Sequence, residues 1–306
     1  MSFTKREMKV KSTDGIHTLS GVIYVPDGEI KGIFHLVHGM TEYIGRYDRL
    51  MSDIANNGFV CFGYDNLGHG RTARDDSELG FIAHKDGWKH LADDTNAFES
   101  QVRSLYPDKR MIVMGHSMGS FIVRTAAEKY GDNYDRLIIC GTGGPNPAAG
   151  FGLILTDIIK TLCGEKHISN TVNSIAFGAY NKKFEHISKY DWITKDRDVI
   201  AKYEADKYCT FSFTVSAMHD LVKLNSVCNR RKWFFNMRKD LPVLIISGSD
   251  DPVGGYGKGV TRVYKKLKSA GLYDVTLKLY NDCRHEIHND TCRDEVTKDI
   301  LEFINR

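Results

Sequence analysis

The chain has 306 residues, enough to bury roughly three-quarters of its unfolded surface, so it can fold without a metal or a disulfide. Its 42 lysines and arginines nearly balance 39 acidic residues, and the net charge of +3 argues against a nucleic-acid partner or strong attraction to anionic membranes. Seven cysteines without a Cys-X-X-Cys pair predict reduced thiols. No signal peptide and no membrane-spanning apolar run is found. These features predict a soluble protein of the cytoplasm.

The first part of the chain alternates between predicted strands and helices. Two antiparallel strands come first, at residues 8–11 and 17–25, joined by a Ser-Thr-Asp-Gly turn. Strands are then predicted at 32–37 and 59–65, and helices at 42–57 and 88–105. Strand, helix and strand in short succession indicate right-handed parallel crossovers.

The most informative local pattern lies at residues 112–123, where an apolar run stops at Gly-His-Ser-Met-Gly and resumes with helical spacing. Gly115 and Gly119 lack a Cβ atom, so the backbone can bend sharply at Ser117 while the hydroxyl points out of the turn. A helix N-terminus at this point would favour a developing oxyanion. Ser117 is therefore a candidate nucleophile, although an ordinary strand-to-helix turn has the same pattern.

The alternation of predicted strands and helices stops between residues 143 and 240. Strand signals vanish there, after a strand at 137–141, and apolar residues follow helical patterns. Alternation then resumes with a strand at 241–248, a helix at 256–270, a strand at 275–280 and a helix at 292–305. We therefore predict an α/β core of residues 1–142 and 241–306, with a mostly parallel doubly wound sheet, and a helical insertion at 143–240.

Two further catalytic candidates follow predicted strands, where open parallel sheets place their sites. Asp250 and Asp251 come after the strand at 241–248, and His285 comes after the last strand. Serine, acid and histidine in this chain order are typical of one serine-hydrolase architecture. His285 would accept the proton of Ser117, and either aspartate could orient the imidazole.

The oxyanion of such a reaction needs two backbone donors. One is expected from the N–H of Met118, directly after the nucleophile. The other is expected from the loop His38-Gly39-Met40, with the N–H of Met40 as the candidate.

Together these motifs resemble the α/β-hydrolase superfamily, and within it the monoacylglycerol lipase and lysophospholipase group, which is sometimes grouped with serine aminopeptidases. Residues 38–47 are similar to the oxyanion loop of that group, and residues 65–70 are similar to its Asp-X-X-Gly-His-Gly turn. The resemblance implies an α/β-hydrolase fold, a helical cap formed by residues 143–240, and no cofactor. Because the acid of such enzymes tends to precede Pro-Val or a similar pair, it favours Asp251 over Asp250.

Other conspicuous residues have structural interpretations. The histidines and acids of the motifs are expected to make structural hydrogen bonds rather than to react: His38, Glu42, Asp65, His69 and His116. No metal site is expected at residues 285–288, because a His-Glu-X-X-His zinc motif would need its second histidine where Asn289 stands. An apolar stripe on the first helix of the cap is expected to be core, with contact to a lipid surface or an acyl pocket as the alternatives: Phe151, Leu155, Ile158, Ile159 and Leu162.

The sequence thus predicts a cofactor-free serine hydrolase that forms and hydrolyses an acyl-enzyme on carboxylic esters. The expected substrates are single-chain lipids such as monoacylglycerols or lysophospholipids, and the cap is a candidate for transient contact with a lipid surface. A small-ester esterase, or a peptidase that removes N-terminal residues, is the enzymatic alternative. The alternative outside enzymes is a catalytically inactive protein that binds a small apolar ligand in the same cleft.

Overall fold

The structure is a computed structural model, and it describes residues 2–306. Its strands are β1 (Phe3–Lys11), β2 (Thr18–Pro26), β3 (Gly32–Val37), β4 (Phe59–Tyr64), β5 (Met111–His116), β6 (Arg136–Cys140), β7 (Val243–Gly248) and β8 (Val275–Tyr280). They form one sheet in the order β1-β2-β4-β3-β5-β6-β7-β8. The pairs β1–β2 and β2–β4 are antiparallel, and the other neighbouring pairs are parallel. The predicted mostly parallel sheet is therefore confirmed.

Helices cover both faces of this sheet. They are α1 (Asp48–Asn56), α2 (Gly87–Leu105), α3 (Met118–Tyr130), α4 (Ala149–Cys163), α5 (Asn170–Phe177), α6 (Arg197–Ala205), α7 (Val215–Asn229), α8 (Arg231–Asn236), α9 (Lys258–Ser269) and α10 (Arg293–Asn305). Apolar residues of α1 and α10 pack on one face, and those of α2, α3 and α9 pack on the other. Every residue of β3, β4, β5 and β7 is buried as a result, which explains why these strands are continuous apolar runs in the sequence.

Two predicted boundaries differ from the structure. β1 starts at Phe3, five residues before the predicted start, because it is an edge strand whose side chains mostly face solvent and give little hydrophobic signal. The helix predicted from residue 42 becomes α1 only at Asp48, after a 3-10 turn at Ile44–Tyr47. The Asp65 carboxylate accepts a hydrogen bond from the N–H of Ile44 at 2.9 Å and holds the chain in this turn.

The segment between β6 and β7 contains helices α4 to α8, as the helical pattern indicates. α7 packs against α2 and α3, and the fully buried Trp233 of α8 donates a hydrogen bond to the Arg124 carbonyl of α3. The buried Arg124 guanidinium in turn donates to the Cys228 carbonyl and lies 4.7 Å from the Trp233 ring. Because α7 and α8 share the core of the sheet, the division into core and cap at residues 143 and 240 stays a prediction.

The apolar stripe of α4 is split between two environments. Leu155 and Ile159 pack against the main core. Phe151, Ile158 and Leu162 are 63%, 52% and 78% exposed, so the expectation that the stripe is core is wrong for these three residues. None of the five lines the cavity described below.

The cysteines also depart from the sequence-based expectation. The structure pairs Cys283 with Cys292, so the prediction of reduced thiols is wrong for this pair. The other five are free: Cys61, Cys140, Cys163, Cys209 and Cys228. Within residues 2–306, no helix has both the length and the apolar character that crossing a membrane requires.

Phe98 of α2 provides a test of this packing. Its fully buried ring stacks on Phe62 and Tyr64 of β4, at centroid distances of 5.7 and 4.8 Å. We expect Phe98→Ala to lower the free energy of unfolding by about 3–5 kcal/mol, because the lost contacts leave a cavity between α2 and the sheet. Chemical denaturation would measure the loss. Phe151→Ala, the same change at an exposed position, should stay within about 0.5 kcal/mol of the parent, and equal losses would contradict the packing described.

Candidate active site

Ser117 occupies a strained turn between β5 and α3. Its backbone has φ 55° and ψ −121°, a conformation that residues with a Cβ atom rarely adopt. A Cβ atom on Gly115 would collide with the Gly119 carbonyl, and one on Gly119 would collide with the Val37 carbonyl. The two glycines therefore let α3 approach β5 and the end of β3 closely, and they hold the Ser117 turn at the carboxyl end of the sheet.

Asp251 and His285 are in direct contact. Nδ1 of His285 lies 3.0 Å from Oδ1 of Asp251, and both side chains are buried. Asp251 also accepts hydrogen bonds from the Ser247 hydroxyl at 3.0 Å and from the Val253 N–H at 2.9 Å, so its orientation is fixed from three sides. Both residues follow strands, β7 and β8, that are neighbours in the sheet.

Asp250 lies apart from this pair. Its carboxylate accepts a hydrogen bond from the neighbouring Ser249 hydroxyl at 3.3 Å, and its backbone N–H donates to the Cys283 carbonyl at 3.0 Å. It makes no hydrogen bond or ion pair with His285 among the described residues. Of the two candidate acids, the one beside the histidine is Asp251.

Ser117 and His285 line the same cavity, together with Met40 and Met118. No hydrogen bond joins the Ser117 hydroxyl to the imidazole within residues 2–306. The structure therefore places Asp251 and His285 in direct contact, and it places Ser117 at the same cavity as His285.

The Asp251–His285 pair changes the pKa of both members. Burial alone would raise the pKa of Asp251, but the charge and hydrogen bond of His285 bring it below its usual value. Burial alone would lower the pKa of His285, but the Asp251 carboxylate stabilises the imidazolium and raises that pKa above its usual value. The site thus contains an ionised carboxylate and a histidine of increased basicity.

The two predicted oxyanion donors are both unengaged. Met118 is the first residue of α3, a position whose N–H has no partner inside the helix. On the opposite loop, the N–H groups of Gly39 and Thr41 donate to Glu42 and to His69, respectively. The N–H groups of Met40 and Met118 donate to no other described residue, and both residues lie at the cavity.

The other motif residues make the structural hydrogen bonds expected of them. His38 accepts from the Asn66 N–H at 2.8 Å, and Asp65 accepts from the N–H groups of Ile44 and Arg71. Burial lowers the pKa of His69 to about 3, which keeps this ring neutral. The Glu42 expectation is also confirmed, because Glu42 binds the Gly39 N–H and Arg46.

Sequence reasoning missed a buried polar network behind the site. The Arg46 guanidinium donates two hydrogen bonds to Glu286, at 2.6 and 2.7 Å, and one to Glu42 at 3.1 Å. The Tyr47 hydroxyl lies 2.7 Å from both Glu42 and His116. Burial would raise the pKa of Glu42, but His116 and Arg46 hold it well below its usual range. The four-residue spacing of Glu42 and Arg46 is the one sequence signal that could have indicated part of this network.

Three buried residues near the network could in principle ligate a metal. Ligand atoms of His116, Cys140 and His288 lie within 4.8 Å of one another. Both ring nitrogens of His116 already have partners, because Nδ1 faces Tyr47 and Nε2 lies 3.3 Å from the His285 carbonyl. We therefore assign no metal to this group.

The cavity beside Ser117 has a volume of about 1030 Å³. The helical insertion supplies much of the cavity wall. The cavity has an aromatic and apolar lining that includes Phe121, Phe177, Phe211, Phe213, Met218 and Leu221. Asparagines and basic residues line other parts of the wall, so the cavity can accommodate a molecule with both an apolar and a polar part.

The Asp251–His285 contact predicts a specific change in acidity. We expect Asp251→Asn to lower the pKa of His285, because an amide cannot stabilise the imidazolium and burial alone favours the neutral ring. NMR titration of the ring protons, with the His285 signal assigned from a His285→Gln variant, would measure the shift. Asp250→Asn is the matched control and should leave this pKa in place. If the two variants behaved alike, the contact would be refuted.

Known proteins resemble this chain over nearly its whole length. The monoacylglycerol lipase of Mycolicibacterium smegmatis is 25% identical over 96% of this chain and 98% of its own. The monoglyceride lipase of Rattus norvegicus is 23% identical over 92% of this chain and 83% of its own. The crystal structure of a thermostable carboxyl esterase from Bacillus coagulans, in complex with glycerol, has a TM-score of 0.93 and 31% identity, and the match covers 100% of this chain and 98% of that one.

A family model described as serine aminopeptidase, S33, matches residues 28–292. The match includes all strands from β3 to β8, the whole helical insertion and the site built around Ser117 and His285. The chain therefore belongs to the serine aminopeptidase S33 family and is a hydrolase with the α/β-hydrolase fold.

Proposed function

We propose that this hydrolase cleaves carboxylic esters through an acyl-enzyme, with Ser117 as nucleophile, His285 as general base and Asp251 as the acid that orients the base. The observation that carries the proposal is the buried Asp251–His285 pair, which lies at the same cavity as the strained Ser117 turn. A serine hydroxyl is a poor nucleophile at neutral pH, and a basic imidazole within the same cavity supplies the activation it needs.

In the proposed reaction, His285 takes the hydroxyl proton of Ser117 as its oxygen forms a bond to the ester carbonyl carbon. Asp251 stabilises the imidazolium that results. The imidazolium then gives its proton to the leaving alcohol as the carbon–oxygen bond of the ester breaks, which leaves the acyl group on Ser117. Water, deprotonated by His285, releases the acid and restores the serine.

The unengaged N–H groups of Met40 and Met118 are the proposed donors to the oxyanion. They come from two different loops, at the ends of β3 and β5, which are neighbours in the sheet. Each donor is available before substrate arrives, because neither N–H donates to another described residue. The neighbouring N–H groups of Gly39 and Thr41, in contrast, already donate to Glu42 and His69. Such preorganised donors stabilise charge that develops in the transition state without reorganisation.

The proposed substrates are esters of single-chain lipids, of the monoacylglycerol or lysophospholipid type. A cavity of about 1030 Å³ with an apolar part is suited to one acyl chain. The names of the Mycolicibacterium and rat relatives support a monoacylglycerol. A small ester is the second candidate, for which the similarity to a carboxyl esterase from Bacillus coagulans is the support, and a series of esters of increasing acyl length separates the two.

We also propose transient contact with a lipid surface through α4. Four large apolar side chains on this helix are more than half exposed: Phe151, Ile154, Ile158 and Leu162. Ile175 of the neighbouring α5 is 63% exposed. α5 lines the cavity, so an exposed apolar face formed by α4 and α5 is suited to contact with a lipid surface from which a substrate molecule enters.

Loss of the nucleophile tests the proposed chemistry. We expect Ser117→Ala to reduce kcat for p-nitrophenyl ester hydrolysis by about a million-fold, because no acyl-enzyme can form. A fluorophosphonate should label Ser117 in the parent, as mass spectrometry of the labelled peptide would show. Ser104→Ala, at an exposed serine of α2, is the control and should still be labelled at Ser117. Unchanged hydrolysis by Ser117→Ala would overturn the proposal.

The exposed face of α4 yields a separate prediction. We expect Ile158→Asp to lower the hydrolysis rate of a monoacylglycerol presented in vesicles about tenfold, because a charge at this face weakens contact with the lipid surface. Hydrolysis of a water-soluble short-chain ester by the same variant measures whether the active site is intact. Ile16→Asp, at an exposed apolar residue outside the insertion, is the matched control. Equal loss on both substrates would count against surface contact.

A further inference from the structure

Three basic side chains line the cavity without an acidic partner: Lys189, Lys258 and Arg262. We refer to them as the cationic rim. None of them forms an ion pair with any of residues 2–306. Their positive charge is therefore not compensated by the protein itself.

Two members of the cationic rim lie on one face of the same helix. Lys258 and Arg262 are four residues apart in α9, a spacing that places their side chains next to each other. Like charges at this spacing repel each other, and the helix offers no acid to separate them. An anion bound at this face would relieve the repulsion.

The third member comes from a different part of the chain. Lys189 lies in the segment between α5 and α6, so positive charge reaches the cavity from the insertion as well as from α9. In the same segment, the Lys183 nitrogen lies 3.6 Å from the centroid of the Tyr256 ring. Tyr256 comes two residues before Lys258. The cation–π contact shows that this segment lies against the start of α9.

The acidic residues of the cavity wall are engaged elsewhere. Glu42 and Glu286 line the cavity, but each is at most 3% exposed. Both carboxylates bind the Arg46 guanidinium, and Glu42 also accepts from the Gly39 N–H. The cationic rim is thus available to a ligand.

The order of the strands separates Lys258 and Arg262 from the aromatic wall. Phe211 and Phe213 pack on His69, which follows β4, with both ring centroids 5.4 Å from its ring. α9 follows β7, on the other side of β5 and of Ser117. β5 is two strands from β4 and two strands from β7, which corresponds to about 10 Å in each direction. An ester at Ser117 can therefore direct an apolar chain to one side and a charged group to the other.

We propose that the cationic rim binds an anionic group, phosphate or carboxylate, of a single-chain ester and so selects anionic over neutral substrates. The inference rests on the proposed ester hydrolysis at Ser117. Arginine and lysine together suit this role, because guanidinium and ammonium groups make short charge-assisted hydrogen bonds to phosphate and carboxylate oxygens. Arg262 and Lys258 would then be specificity-determining residues outside the triad.

The test compares matched substrates. Octanoyl glycerol, octanoyl glycerol phosphate and a carboxylate-bearing octanoyl ester would be assayed below their critical micelle concentrations. The readout is the ratio of kcat/KM for each anionic ester to that for octanoyl glycerol, measured for Arg262→Gln and Lys258→Gln. We expect each variant to lower the ratio about tenfold, corresponding to the loss of one charge-assisted contact. The ester that responds more strongly, phosphate or carboxylate, identifies the anion.

Two controls make the result specific. Lys268→Gln removes the same charge from α9 at an exposed position outside the cavity lining and six residues from Arg262, so it should leave the ratio in place. Arg262→Lys keeps the charge and should retain most of the preference. An unchanged ratio in the Arg262→Gln and Lys258→Gln variants, or an equal fall in Lys268→Gln, would overturn the inference. If octanoyl glycerol hydrolysis survived Ser117→Ala, the proposed function would fail instead, so the two failures are distinguishable.

Discussion

The backbone turn at Ser117 is the constraint on which the site depends. A residue with a Cβ atom is held there at φ 55°, which costs free energy that the surrounding packing must supply. β5 is central in the sheet and fully buried, and α3 begins one residue after the turn, so both arms of the turn are fixed. With glycine at position 119, α3 lies against the backbone of Val37 and His38, and this contact also brings the loop of Gly39 to the Cβ atom of Ser117. The same strained turn therefore positions both the serine and the loop that carries the Met40 N–H.

Two groups of buried charged residues lie near this turn, and they differ in how their charges are paired. In the first, Asp251 has one cationic partner available, His285, and its remaining lone pairs are satisfied by neutral donors. In the second, Glu42 and Glu286 share a single guanidinium, that of Arg46. Because a buried charge that loses its partner is strongly destabilising, Arg46 is committed to the network and is not available to a substrate. Of the buried charged residues that line the cavity, His285 is therefore the one outside the Arg46 network.

The sequence predicts those parts of the fold and site that depend on local patterns. Buried parallel strands are apolar on both faces, so β3, β4, β5 and β7 are visible as continuous runs. Ser117 and the adjacent Asp250 and Asp251 follow two of these runs, whereas His285 follows β8, whose central residues are only partly buried. β1 is extended beyond its prediction because an edge strand is stabilised by pairing and not by burial. The same limit applies to Tyr47, whose contacts with His116 and His288 join residues far apart in the chain, and to the pairing of Cys283 with Cys292. The exposed side of α4 could not be predicted either, because an apolar stripe has the same periodicity whether it faces a core or the exterior.

The helices of the insertion differ in how much of each is packed against the core. α7 and α8 are tied to the core by the buried Arg124 and Trp233, so most changes there would disturb packing against α3. α4 and α5 have few buried residues, and the segment after α5 brings Lys189 and Trp192 to the cavity. Substitutions in this part of the insertion alter the wall next to the substrate at little cost to the free energy of unfolding. Under the proposed function, this separation lets the cavity wall vary with the head group and chain length of the ester, because the residues of this part of the wall are largely not the residues that hold the fold.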